Sequence, residues 1–416
     1  MSGSEVMMGD DDGDQHQEAT EMSSNVLRQG EVCEIVNEES DGRPVADDME
    51  DGNEENNDVQ ILEDDSVQGF FQHSAPVYVV ATHPTDVDRV CTGGGDDKAF
   101  QWSISSGDEQ CQQLDPAHSD SVIAVRYSSD GTLLCTAGMD GVVRVFDISG
   151  TPLHTLDGPS SEIEWIHWHP RGPALAVGSA DGTVWLWHVT QKSAAVIHIM
   201  SQDVGPVTCG TFAGESGKVL CTGAEDGSVR VWSCKTGQIV SMIKSGPMFH
   251  EAPICSIDSH PTQPIVLTGS MDETARWSHI DSGKVLGTVA DHGAAVEAVA
   301  FAPASLGMNW AATGAMNGSI FITDIDRGSV RARFSHDDGV VKLLWLQKHA
   351  FTLASCSLDG SVSLWDSRSG SCLHRYRGHN GPVFDIAVTA DERYLASAGD
   401  DQTALVFALD DAAPVQ

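Results

Sequence analysis

Histidine and aspartate recur in this chain at a separation that would suit proton transfer. His73 precedes Asp96 by 23 residues, and His118 precedes Asp140 by 22 residues. A histidine held by a carboxylate is a common general-base arrangement. The same separation returns through most of the chain, and a pair that belongs to a repeated unit is explained by folding rather than by catalysis. The chain also lacks a Walker A loop, a dinucleotide fingerprint and an H-E-x-x-H motif. We therefore expect that the protein is not an enzyme and needs no cofactor or metal.

The repeated unit is clearest at residues 223–233, which read GAEDGSVRVWS. Asp226-Gly227 between two apolar runs predicts a tight hairpin turn. Eight units align on the turn residue and on the residue six places later: Asp96 with Trp102, Asp140 with Phe146, Asp181 with Trp187, Asp226 with Trp232, Asp272 with Ser278, Asn317 with Thr323, Asp359 with Trp365, and Asp401 with Phe407. Their turn residues lie 41 to 46 positions apart. Such a period is typical of propeller blades that hold four strands each.

These repeats resemble WD40 repeats over residues 66–409. The resemblance implies an all-β fold, a single eight-bladed WD40 β-propeller. It also implies a structural tetrad in each blade, in which a loop histidine bonds the turn acid, a strand hydroxyl and the terminal Trp. The expected tetrad members are His73, Asp96, Trp102, His118, Asp140, Asp181, Trp187, Asp226, Trp232, His250, His292, His336, Asp359, Trp365, His379 and Asp401.

Four units depart from the tetrad pattern. The third has Ser160 or Ser161 in place of the histidine, and the fourth has Gln202. The fifth has Ser278 at the Trp position, and the sixth has Asn317 and Thr323. We expect these blades to be locally looser, because a buried polar network with a missing member is less well satisfied.

The start of the chain divides into a tail and a closing strand. Residues 1–65 carry 22 acids against Arg28 and Arg43, a composition that predicts a disordered acidic tail. The propeller is predicted over residues 66–416. Its first strand, residues 66–72, is expected to complete the last blade and thereby remove exposed sheet edges.

The formal charge of −38 narrows the class of partner. Nucleic-acid binding requires a basic stripe, and this chain has the opposite sign. No apolar run is long enough to span a bilayer. We expect a basic protein partner, drawn to an acidic face whose binding is sensitive to salt.

The candidate face is the end of the ring where the histidine loops and acidic turns meet. Acids beside aromatic rings there could hold Lys and Arg side chains through ion pairs and cation-π contacts. The candidate partner-binding residues are Tyr78, Asp120, Glu162, Glu164, Trp165, Asp203, Glu251, Glu297, Asp337, Asp338, Phe384 and Asp385. The competing interpretation is that acidic loops are ordinary in an acidic protein and that the tryptophan belongs to the core.

Three segments carry a closer resemblance: GGGDDKAFQW at residues 93–102, EWIHWHPRGPALAVGSADGTVWLW at residues 164–187, and CSLDGSVSLWDSRSG at residues 356–370. They look like the angio-associated migratory cell protein group, which includes the fungal dedicated chaperone of universal large-subunit ribosomal protein 16. This resemblance implies a chaperone, acting in the cytoplasm or also in the nucleus, that caps the basic N-terminal segment of that ribosomal protein during ribosome assembly. We expect a monomer. The alternative is a scaffold in signalling or cell migration that binds several proteins.

Overall fold

A computed structural model describes residues 64–201, 205–214, 216–244 and 249–409. Over these residues the chain forms eight antiparallel sheets of four strands each. The prediction of an all-β, eight-bladed propeller is confirmed. The acidic tail lies outside the described residues up to position 63, as do Gln202 and Asp203.

Each blade runs outward from an inner strand. The first four blades are β2(Val77–Thr82), β3(Arg89–Gly94), β4(Ala99–Ser103) and β5(Gly107–Gln113); β6(Val122–Tyr127), β7(Leu133–Gly138), β8(Val143–Asp147) and β9(Pro152–Leu156); β10(Ile163–Trp168), β11(Ala174–Ser179), β12(Thr183–Val189) and β13(Ala194–Ser201); and β14(Cys209–Phe212), β15(Val219–Gly223), β16(Val229–Ser233) and β17(Ile239–Ile243).

The last four blades follow the same order. They are β18(Ile254–Ser259), β19(Ile265–Ser270), β20(Ala275–His279) and β21(Lys284–Val289); β22(Val296–Phe301), β23(Trp310–Ala315), β24(Ser319–Asp324) and β25(Ser329–Ser335); β26(Val340–Trp345), β27(Thr352–Ser357), β28(Val362–Asp366) and β29(Ser371–Tyr376); and β30(Val383–Val388), β31(Tyr394–Gly399) and β32(Ala404–Ala408) with β1(Ser66–Phe70). A 3₁₀ turn, Ala304–Leu306, follows β22, and no helix of the described residues is long and apolar enough to cross a membrane.

The turn between the second and third strands of a blade needs a left-handed residue. Gly227 supplies it with a φ of 72°, and a Cβ there would lie 2.6 Å from the carbonyl oxygen of His250. In three blades a residue with a side chain takes the same conformation: Asp97, Glu273 and Gln402 have φ between 65° and 67°. These turns therefore hold backbone strain that glycine avoids.

The inner strands form a closed ring, in which β30 of the last blade contacts β2 of the first. The first strand joins the last blade, since β1 pairs antiparallel with β32 from Ser66 opposite Phe407 to Phe70 opposite Ala404. Asp65, assigned from sequence to the tail, donates its backbone N–H to the carbonyl of Arg377 at 2.9 Å. The outer edge of the last blade is therefore completed by residues that precede the first blade.

The hydrophobic core lies between neighbouring blades. At the junction of blades 8 and 1, Phe70 of β1 stacks on Trp102 of β4, with ring centroids 5.1 Å apart and an interplanar angle of 7°. Val80 and Val406 belong to the same buried cluster. Packing of these side chains between blades 8 and 1 thus holds the two ends of the propeller together.

Candidate functional site

The recurring His–Asp pairs are structural. In blade 7, Nδ1 of His336 donates to Asp359 at 3.0 Å, and the Ser355 hydroxyl lies 2.7 Å both from Nε2 of His336 and from Nε1 of Trp365. Burial alone would raise the pKa of Asp359, but the hydrogen bonds from His336 and Ser361 hold it well below its usual range. In four other blades the histidine Nδ1 atom likewise lies 2.9 to 3.0 Å from the turn aspartate; these histidines are His73, His118, His250 and His379. A histidine already bonded at both ring nitrogens is poorly placed to act as a base.

In blades 3 and 4, which lack the expected histidine, other polar groups donate to the turn acid. In blade 3, the backbone N–H and hydroxyl of Ser160 both donate to Asp181. In blade 4, Arg230 and Lys244 donate to Asp226 at 3.1 and 2.6 Å. Blade 5 keeps His250 and Asp272 although Ser278 occupies the Trp position.

Blade 6 keeps the histidine but replaces both the turn acid and the Trp. His292 bonds the hydroxyls of Ser319 and Thr313, and its carbonyl accepts the Asn317 amide. The buried Thr323 hydroxyl has no partner among the described residues. Whether blades 3 to 6 are looser stays a prediction.

A β-bulge lies at the start of seven inner strands. In each, the register with the second strand shifts between the first and third residues, so the second residue is unpaired. These second residues are Tyr78, Ile123, Glu164, Cys255, Glu297, Val341 and Phe384. Bulges in the edge strands of sheets re-aim side chains. These residues and the residue just before each turn acid lie at one end of the ring of inner strands, and we call them the channel mouth.

Carboxylates are concentrated at the mouth around blades 3 and 4. The pKa of Glu164 is raised to about 7, mainly by partial burial and to a smaller extent by repulsion from Glu162 and Glu225. Much of the Glu164 surface still contacts solvent. None of the three carboxylates makes an ion pair with a described residue. The described residues therefore leave the repulsion between these carboxylates uncompensated.

A second glutamate faces the same sector from blade 6. Burial raises the pKa of Glu297, and a hydrogen bond with the Cys255 thiol partly offsets this rise. Burial likewise raises the pKa of the Cys209 thiol to about 12, to which the charges of Glu297 and Glu164 contribute. The two glutamates therefore lie close to one group of residues on blades 4 and 5.

Aromatic rings lie at the mouth where blades 8 and 1 meet. Tyr78 and Phe384 have centroids 5.8 Å apart, and a Cβ at Gly95 would lie 3.2 Å from the Tyr78 ring. The pKa of Tyr78 is raised, mainly by burial and to a smaller extent by the negative charge of Asp400. An exposed carboxylate beside an aromatic pair suits a cationic side chain.

Five of the predicted loop acids are exposed. Asp120, Glu162, Glu251, Asp337 and Asp338 all contact solvent. Asp337 accepts from Arg375 at 3.0 Å, but its side chain remains 83% exposed. Surface ion pairs of this kind are weak and leave the carboxylate available.

Two predicted contact residues are placed differently by the structure. Trp165 is 7% exposed and donates its indole N–H to the carbonyl of Val207 at 3.0 Å, so it belongs to the core. Asp385 is 5% exposed and bonds Lys342 and the backbone N–H of Val80. Neither is open to a partner. Asp203 lies outside the described residues.

Two acids at the mouth were missed from sequence. Glu225 and Asp400 each stand immediately before a turn acid and are exposed. Aligned repeats carry Met139, Ala180, Met271, Met316 and Leu358 at the same position. Comparing that one column across the eight units would have found both acids.

Fold and site together define an eight-bladed β-propeller whose channel mouth carries carboxylates that form no ion pair with a described residue. The WD domain, G-beta repeat family matches residues 109–147, 150–188, 198–233, 247–277, 328–366 and 370–407. The angio-associated migratory cell protein of Homo sapiens is 34% identical over 356 residues, covering 83% of this chain and 80% of its own. The chain belongs to the WD40 repeat family and, within it, to the family of angio-associated migratory cell protein.

Fungal relatives are similar over a comparable share of the chain. Ribosome assembly protein SQT1 of Saccharomyces cerevisiae is 28% identical over 392 residues, covering 85% of this chain and 89% of its own. The crystal structure of Chaetomium thermophilum Sqt1 bound to the N-terminus of the ribosomal protein L10 superposes with a TM-score of 0.75 at 25% identity. It covers 83% of this chain and 100% of the solved chain.

Proposed function

We propose that this protein is a chaperone that caps the basic N-terminal segment of a large-subunit ribosomal protein on its channel mouth during ribosome assembly. The observation that carries the proposal is the group Glu162, Glu164 and Glu225, whose carboxylates repel one another and have no ion-pair partner among the described residues. An arginine or lysine of a client would remove that repulsion.

The relatives support the choice of client. One ribosome assembly protein resembles the chain over most of its length, and a solved relative holds the N-terminus of the ribosomal protein L10. We therefore propose a client of the L10 type. The narrower name implied by the resemblance, universal large-subunit ribosomal protein 16, stays a prediction, as do the cytoplasmic location and the monomeric state.

Client binding would change the ionisation of the mouth. Glu164 is partly protonated near neutral pH because its pKa is about 7. A client cation favours the carboxylate, so binding releases a proton and strengthens as pH rises through this range. The aromatic pair of Tyr78 and Phe384 beside Asp400 provides a second place for a cationic side chain.

The test is calorimetric titration of the full chain with an N-terminal peptide of an L10-type protein at low and moderate salt. We expect one-to-one binding that weakens as salt rises. Glu164→Lys and Glu297→Lys should each weaken binding by about tenfold or more, since each replaces attraction by repulsion.

The matched control is Glu109→Lys, an equal charge change on the exposed outer strand β5. It should leave the affinity within about twofold of the parent. Absence of binding by the folded chain, or equal losses in all three variants, would contradict the chaperone proposal and favour a scaffold that holds other proteins.

A further inference from the structure

The outer strands of blades 3, 4 and 5 expose aliphatic side chains to solvent. On β13, Ile199 is 55% exposed, and Val196 and Ile197 are also open. Val240 and Met242 on β17 and Leu286 on β21 continue the series. We call these six residues the apolar wall. Exposed apolar surface that spans several elements is unusual in a monomer and marks contact sites.

The segments that carry the wall are nearly free of acid. No Asp or Glu occurs from position 182 to 202 or from 227 to 250, and Asp281 is the one acid from 274 to 290. Lys192, Lys235 and Lys284 lie in these segments and are exposed, whereas Lys244 is paired with Asp226. In a chain with a formal charge of −38, the segments that carry this wall hold more lysine than acid, which favours an acidic partner.

The wall is continuous from blade to blade. Gly237, in the turn that precedes β17, lies against the His198 ring of β13. Gly283, in the turn that precedes β21, lies against the carbonyl of Met242. The Ser241 hydroxyl of β17 donates to the carbonyl of Ile280 in the next blade. The three outer strands therefore form one surface.

The strand β13 is the most open edge of the wall. It spans eight residues, Ala194–Ser201, and pairs on one side with β12, where Ile199 lies opposite Trp185. No described strand pairs with its other side. Native proteins usually protect such an edge with charges or proline, and β13 carries neither.

We propose that the apolar wall is a second docking surface, on which a partner protein adds an acidic, extended segment as a fifth strand beside β13. Main-chain hydrogen bonds to the open edge would supply affinity, as in other cases of strand addition. Alternate aliphatic side chains would cover Ile199 and Val196, and carboxylates would reach Lys192 and Lys235. The wall shares no residue with the channel mouth, so a client and this partner could bind together.

The probe is a fluorescent acidic peptide, EVEIEVEI, titrated into the full-length chain and followed by anisotropy. We expect saturable binding. A proline-containing analogue, EVEPEVEP, should bind about tenfold more weakly, because proline removes main-chain donors. Ile199→Glu should weaken binding about tenfold and Lys192→Glu about threefold.

The matched control is Thr155→Glu, which places the same charge on an exposed residue of β9, the outer strand of blade 2. It should leave the probe affinity within about twofold of the parent. Circular dichroism melts establish that each variant is folded. Equal binding by the parent and Ile199→Glu, lack of saturation, or self-association of the parent that Ile199→Glu abolishes would overturn the proposal. The last outcome would assign the wall to a second copy of the chain.

Discussion

The carboxylate of Asp385 accepts the backbone N–H of Val80 at 3.0 Å, joining residues 305 positions apart in the chain. The same carboxylate forms an ion pair with Lys342 of blade 7. Asp385 therefore connects three consecutive inner strands, β26, β30 and β2, at the point where the ends of the propeller meet.

Asp385→Ala should lower the free energy of unfolding by about 3 kcal/mol, because it leaves the Lys342 ammonium and the Val80 N–H without their partner. Urea unfolding measures the change. The double variant Asp385→Ala with Lys342→Met should recover part of the loss, since no charge is left unpaired. An Asp385→Ala protein as stable as the parent would refute this linking role.

Removing the closing strand should destabilise the whole ring. A chain that starts after residue 72 loses the pairing of β1 with β32 and the stacking of Phe70 on Trp102. A chain that starts at residue 58 keeps both. We expect a clear fall in melting temperature for the first truncation and little change for the second. Equal melting temperatures would show that β1 is dispensable.

Two equivalent serines should differ in their contribution to stability. Ser355 bonds both His336 and Trp365, whereas Ser397 bonds His379 in a blade whose third strand has Phe407 at the Trp position. Ser355→Ala leaves two buried groups unsatisfied and should cost about 2 kcal/mol, against about 1 kcal/mol for Ser397→Ala. Urea unfolding of the two variants gives the comparison, and a larger cost at Ser397 would contradict the prediction.

Glu164 should make stability depend on pH. Its carboxyl has an ordinary pKa of 4.5 when unfolded and about 7 when folded. Between these values the folded protein holds a proton that the unfolded chain releases, so the free energy of unfolding falls as pH rises, and the loss is complete above pH 7.

The variant Glu164→Gln lacks this titration. From about pH 5 to pH 8, its free energy of unfolding should therefore rise relative to that of the parent. The expected rise is only about 1 kcal/mol, because water screens a partly exposed carboxylate. Urea unfolding at several pH values measures the gain. Glu109→Gln on β5 is the control and should follow the parent, and parallel profiles for all three proteins would remove Glu164 as the cause.

Local sequence signals were sufficient to predict the blades themselves. Each turn acid, its strand hydroxyl and the residue six places later lie within about a dozen positions of one another, so repetition exposes the unit. The eight units aligned on their turn residues correspond to the eight sheets of four strands. The missed acids Glu225 and Asp400 also belong to this repeating pattern.

The availability of each inner-strand acid could be decided only by the tertiary structure. Glu164 and Asp385 are neighbouring positions in equivalent strands, the second residue of β10 and the third of β30. The β-bulge leaves Glu164 unpaired at the mouth, while Asp385 turns towards Lys342 and Val80 of the two adjoining blades. The sequence by itself determined the number and order of the blades, because these depend on short-range repeats. Closure of the ring decided that Asp385 is buried and bonded, because Val80 lies 305 positions away in the chain.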